Sequence, residues 1–208
     1  MIDSSTVNPS VPRQISESAK AKSVSFVDAP VSGGVNGARM GTLTFMVGGS
    51  LQDFEKAKPI LQGMGKNIVH CGAIGSGQVA KICNNLVLAI SMIGVSEAMN
   101  LGIRLGMNRN TLAGIMNTST ARCWSSDSNN PAPGVMPNVP SSNDFKGGFG
   151  ASLMLKDLGL ALDAAKDVGA AVPLGSASHA LYQTLCQQPD AELSKRDFSV
   201  IYKFLGGK

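Results

Sequence analysis

The residues best suited to chemistry lie in four short windows. In "GAIGSGQVAKICNN", residues 72–85, Lys81 stands four positions past Gly77, and Asn84 and Asn85 stand three and four beyond it. On a helix that spacing puts the amine and both amides on roughly one face. A lysine near a helix N-terminus, set among Val79, Ala80 and Ile82, is partly desolvated. Desolvation and the positive end of the helix dipole both favour the neutral amine. Such an amine exchanges a proton with a substrate hydroxyl near neutral pH. The window by itself also fits an ordinary lysine that lays its stem along apolar surface. In "DAPVSGG", residues 28–34, a strand end runs into Ser32, Gly33 and Gly34. Backbone N–H groups in such a turn form an anion-binding nest, Ser32 adds a hydroxyl, and a small carboxylate fits; a plain glycine turn is the simpler reading. "MIDSSTVNP", residues 1–9, ends a strand in hydroxyl residues. Ligands of open α/β sheets bind there, which puts Thr6 at a cofactor; a helix cap before Pro9 is compatible with that. In "GGFGASLMLKDLGLA", residues 147–161, Lys156 and Asp157 follow a Gly loop, and alone they read as an exposed charge pair.

The glycines of residues 72–77 do not make a phosphate loop. They are spaced G-x-x-G-x-G, the reverse of the dinucleotide fingerprint, and no G-x-x-x-x-G-K-[ST] occurs anywhere. Composition narrows the classes further. The chain has 208 residues, 43% hydrophobic, enough for one or two globular domains. A net charge of +4 without a basic run, and 5% aromatics, exclude a nucleic-acid arm or a base-stacking platform. Cys71, Cys83, Cys123 and Cys186 are far apart, and with His70 and His179 they complete no zinc pattern. They read as reduced thiols in a cell interior. The longest apolar run, Leu86 to Val95, is too short to span a bilayer, which takes about 20 residues, so no membrane is implied. No signal or transit peptide opens the chain, and Met1 leads at once into a strand end, as if the chain began partway through a fold.

The elements that must position these residues follow from periodicity. Residues 24–28, 42–49 and 67–72 read as short strands, with helical patterns over 10–22 and 51–63 between them, an α/β layer. After Gly77 the character changes. Residues 78–105 hold no proline and read as one helix roughly 42 Å long, apolar on most sides and therefore central and buried. A second helix follows Asn108 or Asn110 as N-cap, residues 124–150 read as a long loop, and helices are expected over 151–168, 174–187 and the closing "SKRDFSVIYKFL". The domain boundary is placed near Gly77, giving 1–76 and 77–208.

The four windows, in this order, resemble the β-hydroxyacid dehydrogenases over essentially all 208 residues. The resemblance implies a fold class: an α/β remnant of a Rossmann domain, then an all-α substrate and dimerisation domain built on a long central helix, like the C-terminal domain of 6-phosphogluconate dehydrogenase. It implies NAD as cofactor and the oxidation of 3-hydroxyisobutyrate to methylmalonate semialdehyde in valine breakdown. By resemblance Lys81 is the catalytic lysine and Asn85 its helix partner, in the pattern G-x-G-x-x-x-K-x-x-x-N. Ser32, Gly33 and Gly34 match the substrate-carboxylate loop, Thr6 a cofactor contact, Lys156 a lysine near the nicotinamide, and Phe149 the lining of the same cleft. The resemblance further implies a homo-oligomer, a small 3-hydroxy acid as the bound partner and the mitochondrial matrix as location. The family opens with a Rossmann half carrying G-x-G-x-x-G, which this chain lacks, so the 208-residue form is expected to be inactive alone. Two alternatives stand beside this: a non-catalytic subunit pairing through the helical domain, and a related tartronate or succinic semialdehyde reductase.

Overall fold

A computed structural model describes all residues, 1–208. Packing divides them into two compact units, one formed by Met1–Asn85 with Leu160–Ala171, the other by Leu86–Gly159 with Val172–Lys208.

The first unit is a five-stranded sheet with helices. Its central strand β4, Leu43–Gly48, alternates as the sequence pattern requires, with Leu43, Phe45 and Val47 buried. It pairs in parallel with β5, Gly65–Gly72, and antiparallel with β3, Val31–Ser32, and β2, Val27–Asp28; β1, Ile2–Asp3, lies parallel to β2. Helix α1 runs Ser10–Lys20 and α3 runs Leu51–Gln62. Ser50 caps α3 by accepting the Asp53 N–H, and Phe54, Ala57 and Leu61 carry its apolar face into a core with Val27, Ala29, Phe45 and Val47. The strand expected over 24–28 is ladder-paired only at its last two residues. The turn at 33–34 leads into a short helix that periodicity did not reveal, α2, Gly34–Arg39, because six residues with two glycines carry no readable period.

Helix α4, Ser76–Arg104, is the long helix the proline-free stretch implied. By length and composition alone it matches a membrane span, a test that the core helix of a water-soluble protein also passes, and 33% of its most apolar window is buried. It buries one stripe, Gln78, Ile82, Asn85, Ala89, Met92, Ser96 and Met99, and exposes Val79, Val87 and Leu101. The expectation of burial on most sides is thereby corrected. The inward stripe includes polar side chains, and an apolar outward face stays uncovered.

In the second unit Asn108 is the N-cap of α5, Arg109–Thr118, accepting the N–H groups of Asn110 and Thr111. Helices α7, Ala151–Val168, and α8, Pro173–Cys186, fall where the sequence put them, the part of α7 from Leu160 onward belonging to the first unit. The stretch 124–150 is more ordered than a loop: it holds α6, Trp124–Asp127, and a 3₁₀ turn, Pro140–Asn143. Buried Asn130 and Ser141 bind backbone there, Asn130 accepting the Ala132 N–H and Ser141 donating to the Asn130 carbonyl, which supplies the partners that regular structure would otherwise provide. The chain ends in a 3₁₀ turn, Phe198–Val200, and α9, Ile201–Phe204, whose Phe198, Ile201 and Tyr202 join Met92, Met154, Leu158 and Tyr182 in the core. All four cysteines are free thiols.

Candidate functional site

The glycine-rich turn before α4 resolves its own purpose. Exposed N–H groups at a helix N-terminus attract an anion, and here the anion belongs to the chain. Asp28, fully buried at the end of β2, accepts the Gly75 N–H at 2.7 Å through Oδ1 and the Gln78 N–H at 3.1 Å through Oδ2. No phosphate is needed there, in keeping with the reversed glycine spacing. Gly77 is glycine because of the close approach this requires. A Cβ on it would stand 2.2 Å from the Met46 carbonyl oxygen and 2.8 Å from Asp28 Oδ2. Gly48 faces the same carboxylate from β4, with a Cβ position 2.4 Å from Asp28 Oδ1.

Four residues into α4 from Gly77, Lys81 is 7% exposed and donates from Nζ to Asn85 Oδ1 at 3.3 Å. The i,i+4 spacing makes this contact, and Asn84 Nδ2 donates to the same oxygen at 3.0 Å. Asn85 is 1% exposed. An amine and an amide are therefore held together out of bulk water, with the amide oxygen fixed by two donors.

Ser32 is the last residue of β3 and faces Thr44 across the β3–β4 ladder. Gly33 and Gly34 follow with φ of 135° and 60°, a backbone only glycine adopts freely, and they turn the chain into α2. The turn and the lysine helix share two anchors. Ser32 pairs with Thr44 while Gly77 lies on the Met46 carbonyl of the same strand, and Asp28, four residues before Ser32, caps α4.

Thr6 is half-buried in the segment leaving the carboxyl end of β1. The backbone on either side is gripped by Gln78: Val7 N–H donates to Gln78 Oε1 at 3.0 Å, and Gln78 Nε2 donates to the Ser5 carbonyl at 2.8 Å. Thr6, Ser32–Gly34, Lys81 and Asn85 all belong to the first unit.

Phe149 and Lys156 belong to the second. The Phe149 ring lies edge-to-face on Phe198, centroids 6.2 Å apart, at the margin of that core. Its N–H donates to Asp197 Oδ2 at 2.8 Å. Asp197 is buried and also accepts from the Ser199 N–H and Asn129 Nδ2. Burial holds its carboxyl above the usual carboxylate range, with the hydrogen bonds offsetting part of the effect. The Lys156–Asp157 pair, 3.0 Å apart, is only half exposed, since the lysine side chain is 46% accessible and the aspartate 2%. The simple reading of an exposed charge pair is corrected for Asp157.

Sequence reasoning passed over Asp28, Gln78 and Asp197. The one signal for Asp28 was an acidic residue closing an apolar strand, "VSFVD". Nothing local marks the other two.

Comparison with known proteins places this geometry in context. Residues 75–205 match the family described as the NAD-binding domain of NADP-dependent 3-hydroxyisobutyrate dehydrogenase, and residues 1–72 match the NAD-binding domain of 6-phosphogluconate dehydrogenase. A Dictyostelium discoideum protein named probable mitochondrial 3-hydroxyisobutyrate dehydrogenase is 57% identical over 99% of the chain and 63% of its own length. The human mitochondrial 3-hydroxyisobutyrate dehydrogenase is 54% identical over 99% of the chain and 60% of its own length. A Mycobacterium tuberculosis 3-hydroxyisobutyrate dehydrogenase structure solved with L-serine superposes with a TM-score of 0.92 at 43% identity, covering 98% of this chain and 69% of that one. The chain thus spans about three fifths of the length of these curated relatives.

Proposed function

The chain belongs to the 3-hydroxyisobutyrate dehydrogenase family of β-hydroxyacid dehydrogenases, and from that premise we propose that it serves the NAD-dependent oxidation of 3-hydroxyisobutyrate to methylmalonate semialdehyde. The observation that carries the proposal is the buried Lys81–Asn85 pair, on a helix capped by the strand that leads into the Ser32–Gly34 turn. The cofactor fits the residues present in one respect that the structure itself supplies: the Thr6 segment leaves the carboxyl end of a strand in a parallel pair, where open α/β sheets bind ligands. Thr6 would hold the cofactor there, and Lys156 is a further cofactor contact by the family resemblance alone.

NAD, when bound, supplies the hydride acceptor. The chain's own residues do the rest. The N–H groups of Gly33 and Gly34 and the Ser32 hydroxyl receive the substrate carboxylate. Lys81 Nζ takes the proton from the substrate hydroxyl as the carbinol carbon loses hydride and its C–O bond becomes a carbonyl. Asn85 keeps the amine in one direction, so that it meets the hydroxyl rather than sampling solvent. Phe149 is assigned to the lining of the cofactor cleft by the family resemblance alone.

A homo-oligomer is supported by apolar residues that α4 leaves uncovered, Val87 at 66% and Leu101 at 61% exposure. A mitochondrial location is supported by the names of the two eukaryotic relatives; the matrix follows from the family resemblance alone.

The test is Lys81→Ala in the full protein. Turnover falls by roughly 10²–10⁴, while NADH binding, followed by fluorescence, stays within about twofold of wild type. Turnover at the wild-type rate would remove Lys81 from the role of base.

A further inference from the structure

Two fully buried side chains, Asp28 and Gln78, take no part in the proposed chemistry, yet they join the three segments that do. Asp28 ties the strand leading to Ser32 to the first turn of α4. Gln78 does something different. Its carboxamide accepts from Val7 N–H and donates to the Ser5 carbonyl, closing a two-bond clasp over the backbone of Thr6. Only a group with a donor and an acceptor side by side makes both bonds at once, and a primary amide does so without charge. Gln78 sits three residues before Lys81, just under one turn of the same helix, and its own N–H is held by Asp28. The clasp therefore couples the Thr6 backbone to the Lys81 helix through short, buried bonds.

We propose that Gln78 is a positioning residue, whose amide sets where the Thr6 segment lies relative to Lys81 and thereby how the nicotinamide cofactor is presented to the base. This rests on the reading that Thr6 faces the cofactor and Lys81 the substrate hydroxyl. The specific consequence is asymmetric. Loosening the clasp disturbs the segment on the cofactor's side and leaves the carboxylate turn at 32–34, anchored on β4, in place.

Gln78→Glu and Gln78→Ala in the full protein test it, by two readouts. The first is amide hydrogen exchange without cofactor. Gln78→Ala removes the acceptor of the Val7 N–H, and exchange at Val7 rises about fivefold or more, the factor expected for one lost hydrogen bond. The second is steady-state kinetics. Gln78→Glu keeps the shape and the acceptor, but an ionised carboxylate offers the Ser5 carbonyl no donor. The KM for NAD rises about tenfold, while the KM for the 3-hydroxy acid stays within about twofold. The protonated carboxyl again has one donor and one acceptor, so the NAD KM of Gln78→Glu returns toward wild type as pH falls, a dependence the parent lacks. The charged groups around the clasp are Asp28 at the Gln78 backbone, Asp3 bonded to the Ser5 N–H, Arg13 beside Gly75, and Lys81 one turn on. The proposal is overturned if Val7 exchange is unchanged, or if both KM values rise together with no recovery at low pH, which is what loss of structure alone would give. Failure of the dehydrogenase reading looks different: the wild-type protein would not couple NAD reduction to any 3-hydroxy acid, and the exchange readout would still decide the clasp.

Discussion

Replacing Gly77 by alanine puts one methyl group into the tightest contact of the site. The new Cβ would lie 2.2 Å from the Met46 carbonyl oxygen and 2.8 Å from Asp28 Oδ2. Ordinary contact begins near 3.4 Å, so something must move by about 1 Å. Neither neighbour is free to do so. Met46 is in the middle of β4, paired with Val69 of β5, and its own N–H donates to the Pro30 carbonyl. The Asp28 carboxylate is held by the N–H groups of Gly75 and Gln78. The helix must give way, carrying Lys81 with it. Overpacking of this kind costs about 1–3 kcal/mol, and a displacement of about 1 Å at a reacting group costs on the order of 10²-fold in rate. Gly94→Ala, in the same helix, is the internal control, since a Cβ there meets nothing within 4 Å. The better helix propensity of alanine should then stabilise by up to about 1 kcal/mol. The assay is urea unfolding of both variants beside wild type, with NAD reduction measured in the full protein. Gly77→Ala unfolds at lower urea and loses most of its turnover, while Gly94→Ala unfolds at equal or higher urea. If Gly77→Ala matches wild type within about 0.5 kcal/mol and keeps its activity, the close approach of α4 to β4 does not position Lys81 as described.

Two further outcomes are expected. Tyr182 is fully buried with its hydroxyl donating to the Phe198 carbonyl, and burial, then the charges of Asp197 and Cys186, raise its phenol well above the ordinary 10.0. Because the folded state holds the proton more tightly than the unfolded chain, this stabilisation is complete below pH 10 and is lost as pH rises beyond it, at up to about 1.4 kcal/mol per unit. Tyr182→Phe therefore costs about 1 kcal/mol at neutral pH and shows a shallower decline in alkali, checked by urea unfolding at pH 7 and above 10; parallel declines would refute it. If the proposed homo-oligomer packs through the uncovered side of α4, Val87→Asp lowers the mass measured by light scattering relative to wild type, and a wild-type monomer rules out that interface.

The sequence by itself determined the elements whose signals are local. β-branched and aromatic content marked β4, proline-free length marked α4, and Asn108 or Asn110 was offered as the cap of α5, because each signal depends on residues within a few positions. The Lys81–Asn85 pair was legible for the same reason, since a helix fixes what stands four residues apart. The reversed glycine spacing already excluded a phosphate loop. What only the tertiary structure decided is what those glycines are for: an aspartate 47 residues from Gly75 in sequence fills the helix N-terminus, and a glutamine 71 residues from Val7 clasps the Thr6 segment. The burial of Asp157 and the pinning of the Gly loop by Asp197, 48 residues beyond Phe149, are of the same kind. A buried polar group takes whichever partner the fold brings within 3 Å, and that choice is made by packing of distant segments rather than by any pattern along the chain.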